Sequence, residues 1–139
     1  MENFISKHEC YNLRVRASEI VKDFDYTESF TIFTTNEQTR HSGQYFLESG
    51  DKIRCFFEEE AFDDNGDLMQ PKDLSINKIG HAMHDLDPVF DSFSRTEALE
   101  AVAKDVGFED PRILQSMFIF KQPKIGGKVS CHQDATFLY

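Results

Sequence analysis

A chain of 139 residues has the length of one domain and can bury a sizeable core. Its composition, 40% hydrophobic and 29% charged, is that of a globular protein rather than a disordered segment. With 25 acidic against 15 basic residues the net charge is −10, which argues against nucleic acid and anionic membrane surfaces as partners, since both call for a basic face.

The first element is announced by Ser6-Lys7-His8-Glu9, a capping box in which Ser6 and Glu9 satisfy each other's free backbone N–H groups. Cys10, Leu13, Ala17, Ile20, Val21 and Phe24 then recur at helical spacing and predict an amphipathic helix with one buried stripe. Residues 25–43 are polar, Thr-rich and weakly patterned, and read as irregular. Residues 52–58 read as a strand bounded by Ser49-Gly50-Asp51. A hairpin follows, with Asn65-Gly66 suited to a type I′ turn. Residues 76–86 read as a short helix. Asp87-Pro88 starts another, with proline at the first helical position. Ser94-Arg95-Thr96-Glu97 forms a second capping box, Ala98, Leu99, Val102 and Val106 supply the next apolar face, and Gly107 stops it. Residues 113–120 make a rich strand, and Gly126-Gly127 turns into a further extended piece carrying His132. Helices thus come first and the best strands last, as if some strand partners were missing.

Several motifs resolve into ordinary structure. Three widely spaced cysteines without a C-x-x-C exclude a zinc ribbon or thioredoxin-like site and fit a reduced, intracellular setting. The N-terminus lacks the basic and apolar regions of a secretory signal, and no apolar run approaches the ~20 residues of a membrane span. Placing Gly66 at position six of a calcium loop puts Ala61 and Lys72 where acidic ligands belong, so residues 63–67 are a turn. Gly126-Gly127-Lys128 lacks the spacing of a phosphate-binding loop. His81 and His84, three apart, suit capping or core packing better than metal binding. Glu58-Glu59-Glu60 reads as a solvated strand end. Lys121, Lys124 and Lys128 lie in a segment whose one acid from residue 114 onward is Asp134, and they form either a basic mouth for an anion or a solvated loop.

His132 and Asp134 stand apart from these. In an extended strand, side chains at i and i+2 point the same way with Cα atoms ~6–7 Å apart, so an imidazole and a carboxylate can reach one metal ion. The H-x-D pair is two thirds of the facial triad of non-haem Fe(II) oxygenases, although the tripeptide alone is common.

The blocks at residues 115–123, Gly126-Gly127 and residues 130–139 resemble the phytanoyl-CoA dioxygenase family. Residues 49–54, residues 75–82 and residues 84–90, around Asp87-Pro88-Val89-Phe90, resemble it as well, so the likeness runs in order from Tyr45 onward. The resemblance implies an α+β fold: the N-terminal half of a double-stranded β-helix, or jelly roll, with flanking helices, residues 1–139 being a single partial domain. It implies Fe(II), 2-oxoglutarate as co-substrate and O2, with hydroxylation of a C–H bond and release of succinate and CO2. His132 and Asp134 match the first two iron ligands, and Lys78 and Met117 match positions lining the 2-oxoglutarate pocket. The family's third ligand, a histidine, and its clamping arginine fall after Tyr139, and its members begin before Phe4, so the chain is expected to be truncated at both ends. Cys131 stands where proline is expected. The alternative expectation is a catalytically incomplete form acting in binding or regulation, with an unpaired edge at residues 117–120 favouring self-association. The substrate, a small molecule or an acyl compound, is not named by any of these residues.

Overall fold

The structure is a computed structural model that describes residues 2, 4–26, 32–33, 44–127, 129, 131 and 133, the pair 32–33 in backbone only. It is a mixed α+β fold. Helix α1 (Lys7–Asp23) begins at the capping box as expected: the Ser6 side chain accepts from the Glu9 N–H at 3.1 Å, and the Glu9 carboxylate accepts from the Ser6 N–H at 2.8 Å. Its stripe is the one read from the sequence. Ala17 and Val21 are buried, Leu13, Ile20 and Phe24 pack beside them, and Cys10 stays exposed.

Among the described residues four strands follow in spatial order β1 (Ile32–Phe33), β2 (Ile53–Glu58), β3 (Ile76–His81), β4 (Ser116–Ile119). β1 runs parallel to β2, and the other two pairings are antiparallel. The four-residue helix α2 (Gln44–Leu47) precedes β2. Cys55, Phe57, Ile79 and Phe118 join Ala17 and Val21 of α1 and Phe90 in one apolar core on one face of the sheet. Phe24 and Tyr26 close on the Phe57 ring, at centroid distances of 5.9 and 5.5 Å.

The expectation of a helix over residues 76–86 is corrected: residues 76–81 are the buried strand β3, and only Met83–Leu86 is helical, as α3. The cause is a bulge. Lys78 lies opposite Phe56 but Ile76 lies opposite Phe57, so Asn77 is an extra residue in β3. Ile76 and Ile79, three apart, therefore reach the same core, which imitates helical spacing. Burial of all six residues also removes the polar–apolar alternation that marks a half-exposed strand.

Helix α4 (Pro88–Ser94) starts as read, with Asp87 accepting from the Val89 and Phe90 N–H groups at 3.1 and 3.2 Å. Asp87 is also buried against Arg16 of α1, whose Nε donates at 2.6 Å. The second capping box does not form. Ser94 is the last residue of α4, and Thr96 precedes helix α5 (Glu97–Asp105) without a side-chain cap bond. α5 stops just before Gly107, φ +102°, as expected.

The turn at Asn65-Gly66 is real but not type I′, which needs positive φ at both central residues. Only Gly66 has it, at +87°, and the Asp63 side chain organises the turn by accepting from the Asn65 and Asp67 N–H groups, each at 2.9 Å. At the other end of α1, Lys72 Nζ donates to the carbonyls of Lys22 and Phe24, at 2.9 and 2.7 Å. Among the described residues no helix is long and apolar enough to cross a membrane.

Candidate functional site

The face of the sheet opposite the core carries the chemistry. Along β3, Lys78 stands between Phe56 of β2 and Ile119 of β4, and Met117 of β4 lies opposite Gly80. The two residues matched to a co-substrate pocket are thus brought together: the Lys78 ammonium points to the Met117 sulfur, Nζ to Sδ 3.9 Å. Lys78 is 5% exposed, with its Nζ 5.1 Å from the Phe46 ring centroid and 5.4 Å from that of Phe56. Ring faces stabilise a cation without neutralising it. Burial lowers the ammonium's pKa from 10.5 to about 8.

His81, at the end of β3, shares this wall. Its ring packs against Phe46 and Phe56 at 5.3 and 5.6 Å, and its Nδ1 lies 2.7 Å from the Ser49 hydroxyl oxygen. That hydroxyl donates to the Phe46 carbonyl at 2.5 Å, so Nδ1–H donates to it in turn. Burial, with the Lys78 charge second, pushes the His81 pKa down to about 4, and the imidazole is neutral at pH 7. His84, by contrast, is structural as expected. It is buried on α3, its N–H donates to the Ser116 hydroxyl at 3.1 Å, and its Nδ1 is 3.0 Å from the same oxygen. Cys55 lies in the core, its thiol pushed up to about 12 by burial.

The segment after β4 is held at three points, two on the sheet and one on the turn that precedes β3. The Phe120 N–H donates to the Asn77 carbonyl at 2.8 Å, the Gln122 side chain to the Asp73 carbonyl at 2.9 Å, and the Gly127 N–H to the Glu58 carboxylate at 3.3 Å. Here the reading of Glu58 as a solvated strand end is corrected: it is 3% exposed, while Glu59 and Glu60 are exposed as expected. Gly126 fits against this carboxylate at φ +128°, and a Cβ there would come within 3.3 Å of Glu58 Oε1. His132 and Asp134 lie outside the described residues, and among the described residues no group of three or more His, Cys, Asp or Glu could hold a metal ion.

Sequence reasoning missed Phe46, Phe56 and His81 as neighbours of Lys78, and Ser49 as the partner of His81. Reading residues 76–81 as a strand beside residues 52–58 would have aligned Lys78 with Phe56.

Together these features define an α+β domain whose mostly antiparallel sheet buries a lysine beside a thioether on the face away from its core. Comparison with known proteins gives the family. The model of the family described as phytanoyl-CoA dioxygenase (PhyH) matches residues 1–139. A phytanoyl-CoA dioxygenase of Arabidopsis thaliana is 48% identical over 139 residues, spanning 100% of this chain and 49% of that protein. Phytanoyl-CoA dioxygenase domain-containing protein 1 of Rattus norvegicus is 47% identical over 144 residues, spanning 100% of this chain and 50% of its own length. A homolog of that protein in Caenorhabditis elegans is 44% identical over 140 residues, at 99% and 49%. The chain belongs to the phytanoyl-CoA dioxygenase family, and it spans about half the length of the curated relatives it matches.

Proposed function

We propose that this chain supplies part of the site of an Fe(II)- and 2-oxoglutarate-dependent hydroxylase, its sheet forming half of a jelly roll. The observation that carries the reading is Lys78, a cation held out of water beside Met117 on the face of the sheet away from the core. A desolvated ammonium fits a dicarboxylate, because charge pairing at a dry site is worth more than in water. Phe46 and Phe56 exclude water from the ammonium, and neutral His81 adds no second charge to the wall. Met117 supplies a polarisable packing surface for the co-substrate's carbon chain. His132 and Asp134 are the residues of this chain that would hold the metal. Fe(II), when bound with 2-oxoglutarate and O2, supplies the oxidative decarboxylation that hydroxylates a C–H bond and releases succinate and CO2. The substrate is a small molecule or an acyl compound.

Isothermal titration with Mn(II), with and without 2-oxoglutarate, tests this. The expected result is metal uptake lost in His132→Ala and Asp134→Ala, and co-substrate uptake lost in Lys78→Met. Equal binding by wild type and all three variants refutes the reading. A second reading, association of two chains through the strand edge rather than catalysis, is favoured by β4 ending the sheet order among the described residues with Met117 and Ile119 half-exposed. A concentration-independent monomer mass in analytical ultracentrifugation rejects it.

A further inference from the structure

Helix α2 is a single turn with no buried residue, and its Leu47 is 70% exposed. A helix this short does not hold itself together in water, so its place on the sheet is set from outside. One anchor lies just past its end, where the Ser49 hydroxyl joins the Phe46 carbonyl to His81 Nδ1. The other is Arg54. It stands two residues before Phe56 on β2, so both side chains leave the same face of the sheet. One end of its guanidinium donates to the Tyr45 carbonyl, and the other lies 3.8 Å from the Glu48 carboxylate. Its Cζ sits 4.2 Å from the Tyr45 ring centroid. Three consecutive residues of β2 thus grip Tyr45, since the Cys55 carbonyl accepts from its hydroxyl at 3.4 Å and the Phe56 ring meets its ring at 5.5 Å. The next residue of α2 is Phe46, whose ring centroid is 5.1 Å from Lys78 Nζ and 5.3 Å from that of His81.

We propose that Arg54 is a positioning residue of this site: it clamps α2 to the sheet, so that the Phe46 ring stays against the Lys78 ammonium and the His81 imidazole and keeps water from them. For co-substrate uptake the inference rests on the reading of Lys78 as the contact to a carboxylate; its consequence for His81 does not. The planar fork of a guanidinium serves a carbonyl, a carboxylate and a ring face at once, whereas a lysine in its place keeps the charge and loses the fork. With the clamp gone, α2 loosens and water reaches the wall. The burial that disfavours a charged imidazole is then relieved. The pull of the ammonium on a carboxylate weakens for the same reason.

The His81 titration is followed by proton NMR, its signal assigned by its loss in His81→Asn. In Arg54→Lys and Arg54→Met the midpoint is expected to rise from about 4 toward the ordinary value of 6.5. Phe46→Ala, which removes the ring itself, gives the same rise, and Arg54→Lys added to it gives no more, because the clamp acts through that ring. The signals of His84, whose ring is bonded to Ser116, stay in place and report an intact fold. Should Arg54→Met lose them, the charge-retaining Arg54→Lys decides. In parallel, affinity for 2-oxoglutarate in the presence of Mn(II) falls about tenfold in Arg54→Lys, as charge pairing weakens at a wetter site. An unmoved His81 midpoint or unchanged affinity in Arg54→Lys, or a further rise in the double variant, overturns the proposal. If the wild type takes up no 2-oxoglutarate, the carboxylate reading of Lys78 fails, and the His81 titration alone decides for or against the clamp.

Discussion

Replacing Lys78 with methionine should make the protein more stable and less able to bind. Burial shifts the ammonium's pKa from 10.5 to about 8, which corresponds to roughly 3 kcal/mol against the charged form. The methionine stem fills nearly the same space and carries no charge, while the ring contacts to Phe46 and Phe56 given up are worth about 1 kcal/mol. Set against the burial term alone, the ring contacts leave about 2 kcal/mol in favour of the variant at pH 7. The pH dependence separates this account from generic repacking. Between about 8 and 10.5 the unfolded chain holds the Lys78 proton and the folded chain does not, so wild-type stability rises with pH across that window. The advantage of Lys78→Met should shrink across the same window, whereas other ionisations cancel in the difference. Urea unfolding followed by far-UV circular dichroism measures it, the chain having no tryptophan. In parallel, 2-oxoglutarate should raise the wild-type midpoint and leave that of the variant unmoved. A gap independent of pH, or a variant less stable than wild type at pH 7, refutes the argument that burial strains this cation.

Three further outcomes follow from other side chains. His81 has its pKa pushed from 6.5 down to about 4, so the unfolded state gains a proton first and stability falls as pH drops through that window, by up to about 3 kcal/mol. In His81→Asn the slope should flatten in urea midpoints taken between those pH values, and an unchanged slope removes His81 as its source. Asp87→Ala removes both the α4 cap and the partner of Arg16 and should cost about 3 kcal/mol, with Asp87→Asn recovering roughly a third through its amide oxygen; calorimetry reads both. A thiol reagent at pH 8 should modify Cys10 and Cys131 quickly, and Cys55 on the order of 1,000-fold more slowly, because its thiolate is scarce and buried. Equal rates in the folded chain would contradict the packing of the core.

Elements whose signals are local were legible in the sequence: the Ser6–Glu9 box, the α1 stripe and the Asp87-Pro88 start all depend on neighbours within one turn. β3 was not, because the bulge at Asn77 is a relation between two strands and leaves a helix-like spacing behind it. Glu58 was misjudged for a related reason, its partner being the Gly127 N–H, 69 positions away. In the site, Lys78 and Met117 came from the family resemblance, and the fold then set them 3.9 Å apart. Their wall of Phe46, Phe56, Ser49 and His81 is a product of sheet register and α2 docking, which no motif spells out.

Helix α1 is fastened at two places by polar groups from distant parts of the chain, Asp87 on Arg16 and Lys72 on the carbonyls of Lys22 and Phe24. Its capping box lets the first turn form early and locally, but its last turn is completed only when the connection between β2 and β3 is in place. The helix and the sheet are thereby tied to each other, and amides in the last turn of α1 are expected to exchange with solvent when the sheet opens.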